Sequence, residues 1–142
     1  MEYKTILVAI DLTDEAEQVL SRAVTMAKQH QATLTLAHVV EPVGYAYGGD
    51  LPLDLTELQQ QLETSAREQL SAHGERHGIA KQDQRIIIGR PGTEIRRLAH
   101  DLGADLTVVG SHGRHGLQLL LGSTANAVLH GAENDVLAVR VR

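Results

Sequence analysis

The apolar positions of this chain follow two alternating patterns. Five short stretches are rich in β-branched residues and are either apolar throughout or alternate with threonine, which is typical of strands buried in a sheet. Between these stretches, apolar residues recur every three or four positions, which predicts amphipathic helices. The predicted strands cover residues 4–10, 32–40, 84–88, 105–109 and 136–141.

Four helices are predicted between these strands. Thr13 or Asp14 is the expected cap of the first, which runs to about His30, because a short polar side chain can accept a hydrogen bond from a first-turn amide. The second starts at Leu55, the third follows Arg90-Pro91-Gly92-Thr93, and the fourth begins behind Gly122. Their expected ends lie near Gly74 or Gly78, at Gly103 and at Gly131.

Strands and helices alternate without any hairpin signal. This pattern predicts an α/β fold, an open and mostly parallel five-stranded Rossmann-like sheet with helices on both faces and strands one and four adjacent. The length suits a single domain over residues 1–142. In such sheets ligands bind beyond the carboxyl ends of the strands. Asp11, Val39 and Gly110 all fall at such ends.

The most distinctive stretch reads Gly-Ser-His-Gly-Arg-His-Gly over residues 110–116, and Gly122-Ser123-Thr124 follows it. Glycines directly after a strand allow a sharp turn with outward N-H groups, and a helix start behind Gly122 would add further donors. Both features suit an anion such as phosphate. Neither generic nucleotide motif matches, however, and turn glycines with a simple helix cap from Ser123 or Thr124 are an equally weighted alternative on spacing alone.

Composition excludes several classes of protein. The net charge of -5 argues against non-specific nucleic-acid binding, which needs a basic face. There is no cysteine, so disulfides and thiolate chemistry are excluded. The apolar run Ile6 to Ile10 is too short for a signal peptide or a membrane span. We therefore expect a cytoplasmic protein without membrane insertion.

The other polar residues suggest weaker alternatives. His112 and His115 are a thin basis for a metal site, because no thiolate or patterned carboxylate accompanies them. Ser111 or Ser123 could join a histidine and Asp11 in a hydrolytic triad, but no nucleophile elbow is present. His38 is most simply a satisfied histidine at a strand end, the pair 96–97 a solvated helix face, and the leucine-rich run 117–121 packing.

Several segments together resemble the universal stress protein (UspA) family. They are the opening strand, Tyr3 to Asp11, the strand end His38-Val39-Val40, Gly89-Arg90-Pro91, and the glycine stretch from Gly110 through Gly122-Ser123. Nucleotide-binding members of that family carry G-x2-G-x9-G-[ST]. Here eight residues separate Gly113 from Gly122, so the stretch is one residue shorter than that pattern, and the proline common before the last strand is replaced by Asn134-Asp135.

The resemblance implies the strand order 3-2-1-4-5 and a stress-responsive regulatory protein that binds ATP or another adenine nucleotide, with Mg2+ as a possible companion. Asp11 and the Val39 backbone would meet the ribose and adenine. Phosphates would be held by the glycine stretch, in which Gly110 and Gly113 shape the loop, Gly122, Ser123 and Thr124 hold the outer phosphates, and His112 and Arg114 flank them.

The resemblance also implies a homodimer joined through the C-terminal strand, Val136 to Val141, which is an uncovered edge. Regulatory protein partners are expected for such a dimer. A nucleotide-free dimer that acts through these partners, or a slow phosphohydrolase, are the alternative functions. We expect no proficient enzyme, because no general base oriented by a third group accompanies the glycine stretch.

Overall fold

The computed structural model describes residues 2–43, 55–111 and 122–142. Five parallel strands form one sheet in the order β3-β2-β1-β4-β5. The predicted fold, its strand order and the contact between strands one and four are thereby confirmed. The strands are β1 (Thr5–Ala9), β2 (Thr33–Val40), β3 (Gln84–Ile88), β4 (Leu106–Gly110) and β5 (Asp135–Val139).

Within the described parts of the chain, four helices and one 3-10 turn connect these strands. A 3-10 turn over Lys81–Asp83 precedes β3 and was not predicted. The helices cover both faces of the sheet, as the alternating pattern predicts, since each face has its own apolar core. They are α1 (Ala16–His30), α2 (Thr56–Arg76), α3 (Pro91–Leu102) and α4 (Ser123–Gly131).

The central strand β1 supplies side chains to both cores. Ile6 and Val8 point into the α1-side core, which α1 and α2 cover, whereas Leu7 points into the α3-side core, which α3 and α4 cover. All three side chains are fully buried. Because successive residues of a strand face opposite sides of the sheet, a strand covered on both faces must be apolar throughout.

The end of α3 agrees with the prediction from sequence, whereas the start of α1 does not. Gly103 ends α3 with φ 64°, a left-handed conformation that glycine adopts without steric cost, as predicted. The start of α1 differs from the prediction, because Glu15 is its N-cap residue and makes no side-chain cap bond. The Thr13 hydroxyl donates to Asp11 Oδ1 at 2.6 Å and accepts from the N-H of Glu15 at 3.3 Å, in the turn that precedes the helix.

Arg96 corrects the expectation of a solvated arginine pair. Its guanidinium lies over Gly131 and donates to the carbonyl of Ala127, at 2.6 Å, so it binds the last turn of α4. Arg97 remains exposed and pairs with Glu94 one turn earlier on α3. Arg96 is therefore part of the contact between α3 and α4.

A polar cluster joins α1 to α2. The Glu17 carboxylate, in the first turn of α1, binds His73 Nδ1 at 2.6 Å and Arg76 Nη1 at 2.8 Å through Oε1, and His77 Nε2 at 2.7 Å through Oε2. His73 and His77 are four residues apart and share one helix face. Partial burial opposes ionisation of Glu17, but the hydrogen bonds from His77 and His73 outweigh it and lower the pKa of this carboxyl.

Replacing Glu17 with glutamine is expected to lower the free energy of unfolding by about 1 to 2 kcal/mol at neutral pH. A hydrogen bond to a charged group contributes about 1.5 to 3 kcal/mol, reduced here because the Glu17 side chain is 35% exposed. Since the folded pKa is lower than the unfolded one, the carboxylate stabilises above the unfolded pKa, and this contribution is lost as pH falls through the folded value.

Urea unfolding of both proteins at neutral pH and at about pH 3 measures this effect, and the two should converge at the acid pH. Glu57→Gln is the matched control, because Glu57 also lies in the first turn of its helix and is exposed. Equal losses for the two variants would show that the imidazole contacts contribute nothing.

Candidate functional site at the carboxyl edge of the sheet

The carboxyl edge brings two predicted site residues into one row with the residue that follows Gly110. β1 pairs with β2 through Ala9 and Ala37, and with β4 through Val8 and Val108. Continued past the strand ends, this register places Asp11 level with Val39 and Ser111. Strand order reverses between β1 and β4, so the row crosses the point where doubly wound sheets bind their ligands.

Asp11 is exposed and held by its own turn. Its Oδ1 accepts hydrogen bonds from the Thr13 hydroxyl, at 2.6 Å, and from the Thr13 backbone N-H, at 3.2 Å. Within the described chain, Oδ2 has no recorded hydrogen bond. The carboxylate is thus oriented through one oxygen, and the other can accept a hydrogen bond or coordinate a cation. The Asp-x-Thr spacing was the available sequence signal for this turn, and sequence reasoning did not use it.

The ends of β1 and β2 are linked by His38. Its Nδ1 lies 2.7 Å from the Ile10 carbonyl oxygen, and a carbonyl only accepts, so Nδ1 carries the proton and donates. The expectation of a satisfied histidine at a strand end is confirmed. This bond fixes the peptide that directly precedes Asp11.

Val39 presents backbone to the same edge. Backbone groups alternate sides along a strand, and the Val40 carbonyl accepts from Gly89 on the β3 side. The Val39 N-H and C=O therefore point toward the β1 side. The last backbone hydrogen bond between the two strands joins the Ile10 N-H to the Ala37 carbonyl, so Val39 lies beyond it. The Val39 side chain packs in the α3-side core, so only its backbone is placed to meet a ligand.

Ser111 and Gly122, which flank residues 112–121, are joined by a backbone hydrogen bond that is here called the neck. Gly110 closes β4 opposite Val139, and the next residue, Ser111, donates its N-H to the Val139 carbonyl at 2.8 Å. The Ser111 carbonyl accepts from the N-H of Gly122 at 2.6 Å. The Gly122 N-H is therefore bonded within the protein, and the predicted role of Gly122 toward a phosphate stays a prediction.

Helix α4 begins directly behind this neck. Gly122 is its N-cap residue, and no side chain caps the helix, so neither Ser123 nor Thr124 acts as the simple hydroxyl cap. Among the described residues, the amides of Ser123 and Thr124 have no backbone acceptor, because the first amides of a helix lack an intrahelical partner. These amides, together with the helix dipole, favour an anion.

Three predicted site residues, His112, Gly113 and Arg114, lie outside the described residues. The same holds for His115 and for the leucine-rich run 117–121. Their assigned roles stay predictions from sequence.

The last strand is shorter than predicted. β5 ends at Val139, and residues 140–142, here called the β5 extension, follow it outside the strand. The Val141 N-H donates to Ser111 Oγ at 3.3 Å, and its side chain is buried in the α1-side core. The backbone of Arg142 exchanges two hydrogen bonds of 2.9 Å with the side-chain amide of Gln18 on α1. The last strand therefore covers 135–139 rather than Val136 to Val141, and a dimer joined through it stays a prediction.

The hydrolytic triad and the metal site, the two alternative chemistries, have little support in the described part of the chain. Neither the Ser111 nor the Ser123 hydroxyl has a recorded bond to a histidine there, and Ser111 Oγ is engaged by Val141. Among residues 2–43, 55–111 and 122–142, no group of three His, Asp or Glu side chains is arranged so that it could hold a metal ion. Within those same ranges, every helix is too short or too polar to span a bilayer.

Comparison with known proteins identifies the family and agrees with the fold. The model of the universal stress protein family matches residues 2–140. A curated relative, universal stress protein A homolog 1 of Coxiella burnetii, is 42% identical over 98% of this chain and 97% of its own length. Among solved structures, universal stress protein UspA from Lactobacillus plantarum has a TM-score of 0.81 at 27% identity, covering 100% of this chain and 99% of that one.

A second solved structure carries a ligand. It is a universal stress protein in complex with cAMP, with a TM-score of 0.62 and 26% identity, covering 98% of each chain. The sheet order described above defines a doubly wound α/β protein, with the candidate site at its switch point. Together with the family match, they show that this chain belongs to the universal stress protein family.

Proposed function

We propose that this protein is a stress-responsive regulatory protein that binds an adenine nucleotide at the carboxyl edge of its sheet. The observation that carries the proposal is that Asp11 lies level with Ser111, whose carbonyl accepts from Gly122, the N-cap residue of α4. A relative solved in complex with cAMP supports an adenine nucleotide as the ligand class.

Different residues at this edge would contact different parts of the nucleotide. The α4 amides of Ser123 and Thr124 suit phosphate oxygens, because a helix N-terminus favours negative charge. Asp11 is negative and would repel a bare phosphate, so its free oxygen suits a ribose hydroxyl or Mg2+. The Val39 backbone suits the polar edge of adenine. Gly110, Gly113, His112 and Arg114 would complete the phosphate loop, as the sequence predicts.

Titration calorimetry with ATP and Mg2+ tests this proposal. Asp11→Ala is expected to weaken ATP binding about 10- to 30-fold, since a hydrogen bond to a charged group contributes about 1.5 to 2 kcal/mol and each 1.4 kcal/mol is tenfold. Asp14→Ala is the matched control, because it removes an equal charge from the same exposed turn, and its affinity should stay within about twofold.

Asp11→Asn separates the two roles of the carboxylate. The amide oxygen still accepts from Thr13 and from a ribose hydroxyl, so a ribose role predicts a small effect, whereas a Mg2+ role predicts a loss seen only when Mg2+ is present. No heat from the wild-type protein, or equal affinity in Asp11→Ala, would remove the site from this edge.

A homodimer that binds regulatory partners is a second proposal, and the edge of β5 favours it. Asp135, Leu137 and Val139 direct their backbone toward β4, so the backbone groups of Val136 and Ala138 face outward without a strand partner in the described chain. An open edge of this kind suits antiparallel pairing with a second copy. Such a dimer can act with or without nucleotide.

Regulation rather than turnover is the proposed activity, in a cytoplasmic protein as the sequence predicts. A slow phosphohydrolase is the remaining alternative, and steady-state ATP hydrolysis distinguishes the two. Turnover faster than about one per second, within the ordinary range of enzymes, would contradict a regulatory role.

A further inference from the structure

The β5 extension and Ser111 form a connection that the nucleotide proposal does not use. Ser111 makes three hydrogen bonds. Its N-H donates to the Val139 carbonyl, its carbonyl accepts from the Gly122 N-H, and its hydroxyl oxygen accepts from the Val141 N-H. Each of these partners belongs to a different segment. Ser111 thus joins the end of β4, the start of α4 and the β5 extension at one point.

The other end of the extension is fixed on α1. Gln18 accepts from the Arg142 N-H and donates to the Arg142 backbone oxygen, so its side-chain amide bonds both backbone groups of that residue. The Val141 side chain, only 3% exposed, lies between these two contacts and anchors the extension in the α1-side core. The extension therefore ties α1 to Ser111 through both hydrogen bonds and packing.

The contacts of the β5 extension with α1 and with Ser111 lie on the two sides of the switch point. Asp11 and its turn lead into α1, whereas Ser111 leads through the neck to Gly122 and α4. The Ser111 carbonyl holds the N-cap residue of α4, so a shift of Ser111 relative to α1 changes the distance from Asp11 to the α4 amides. A ligand that contacts both groups is sensitive to this distance.

We propose that the β5 extension, held by Gln18, acts through Ser111 to fix the neck between Ser111 and Gly122. Ser111 is then a positioning residue. One consequence rests on the proposed function, namely that the extension sets the affinity of the edge for an adenine nucleotide by fixing the α4 amides relative to Asp11.

Amide hydrogen exchange in the full chain without nucleotide tests the neck directly. Gln18→Leu removes both bonds to Arg142 at similar side-chain size, and Ser111→Ala removes the acceptor of Val141. Both variants should speed exchange of the Gly122 amide about 5- to 10-fold, while exchange of the Ala104 amide, bonded to Ala99 at the far end of the sheet, should not change.

Two controls separate this role from general loss of stability. Arg142→Ala keeps the backbone bonds to Gln18 and should leave exchange at Gly122 unchanged. Ser111→Thr keeps a hydroxyl acceptor and should restore the wild-type rate. Unchanged exchange at Gly122 in Gln18→Leu and Ser111→Ala, or equal acceleration at Ala104, overturns the proposal.

Calorimetry with ATP and Mg2+ tests the consequence for binding. Gln18→Leu should weaken ATP binding about 3- to 10-fold, and Arg142→Ala should leave it unchanged. Equal affinities for Gln18→Leu and wild type overturn the link between the extension and the site. Absence of ATP binding by the wild-type protein instead overturns the proposed function, while exchange at Gly122 still decides whether the extension holds the neck.

Discussion

Replacing Leu7 with alanine is expected to lower the free energy of unfolding by about 3 to 5 kcal/mol, in the upper range for buried leucines. Leu7 is fully buried in the α3-side core with Ile95, Val109 and Val128. It lies in β1, which is hydrogen-bonded to strands on both sides. The surrounding backbone cannot collapse into the vacated volume, so the cavity adds to the lost transfer free energy.

Urea unfolding followed by circular dichroism, at one protein concentration, measures this loss. Leu58→Ala is the matched control, because the Leu58 side chain on α2 is 40% exposed and its truncation should cost less than about 0.5 kcal/mol. A loss below about 1 kcal/mol for Leu7→Ala would contradict the packing described for the central strand.

Proline at position 138 is expected to convert the proposed dimer to a monomer without unfolding it. Ala138 is exposed, and its N-H faces away from β4, so proline removes no bond of the sheet. In a symmetric antiparallel pair, the change removes one N-H donor from each copy and adds two rings at the contact. Two hydrogen bonds and the steric conflict together cost about 3 kcal/mol, which weakens association about 100-fold.

Sedimentation velocity at micromolar concentration tests this expectation, with circular dichroism to confirm the fold. Ala138→Thr keeps the backbone donor and favours a strand, so it should remain associated. A monomeric wild-type protein would exclude the dimer at that concentration, and an intact dimer of Ala138→Pro would place the interface away from β5.

Local pattern was sufficient for most of the fold. Continuous apolar stretches such as Ile6 to Ile10 can only be buried on both faces, and their alternation with helical periodicity leaves a parallel sheet. Gly103 ends its helix as predicted, because its left-handed conformation depends on the residue itself. The order of strands drew in addition on the resemblance to a family.

The site was predictable to the extent that it follows from strand ends. Asp11, Val39 and Gly110 lie at one edge because parallel strands share a direction, which the sequence already implies. The turn that orients Asp11 is equally local, since Thr13 is two residues away. The phosphate roles of residues beyond Ser111 and before Gly122 rest on the sequence alone.

The sequence by itself determined which segments are strands and helices, and which residues stand at the strand ends, because these properties depend on neighbours along the chain. Only the tertiary structure decided the distant partners. In the folded chain the Gly122 N-H donates to Ser111, and the Arg96 guanidinium donates to Ala127. The Glu17 carboxylate binds His73 and His77, which are 56 and 60 residues away. A polar group binds whichever partner the docking of elements brings within about 3 Å, and that docking is a property of the whole core.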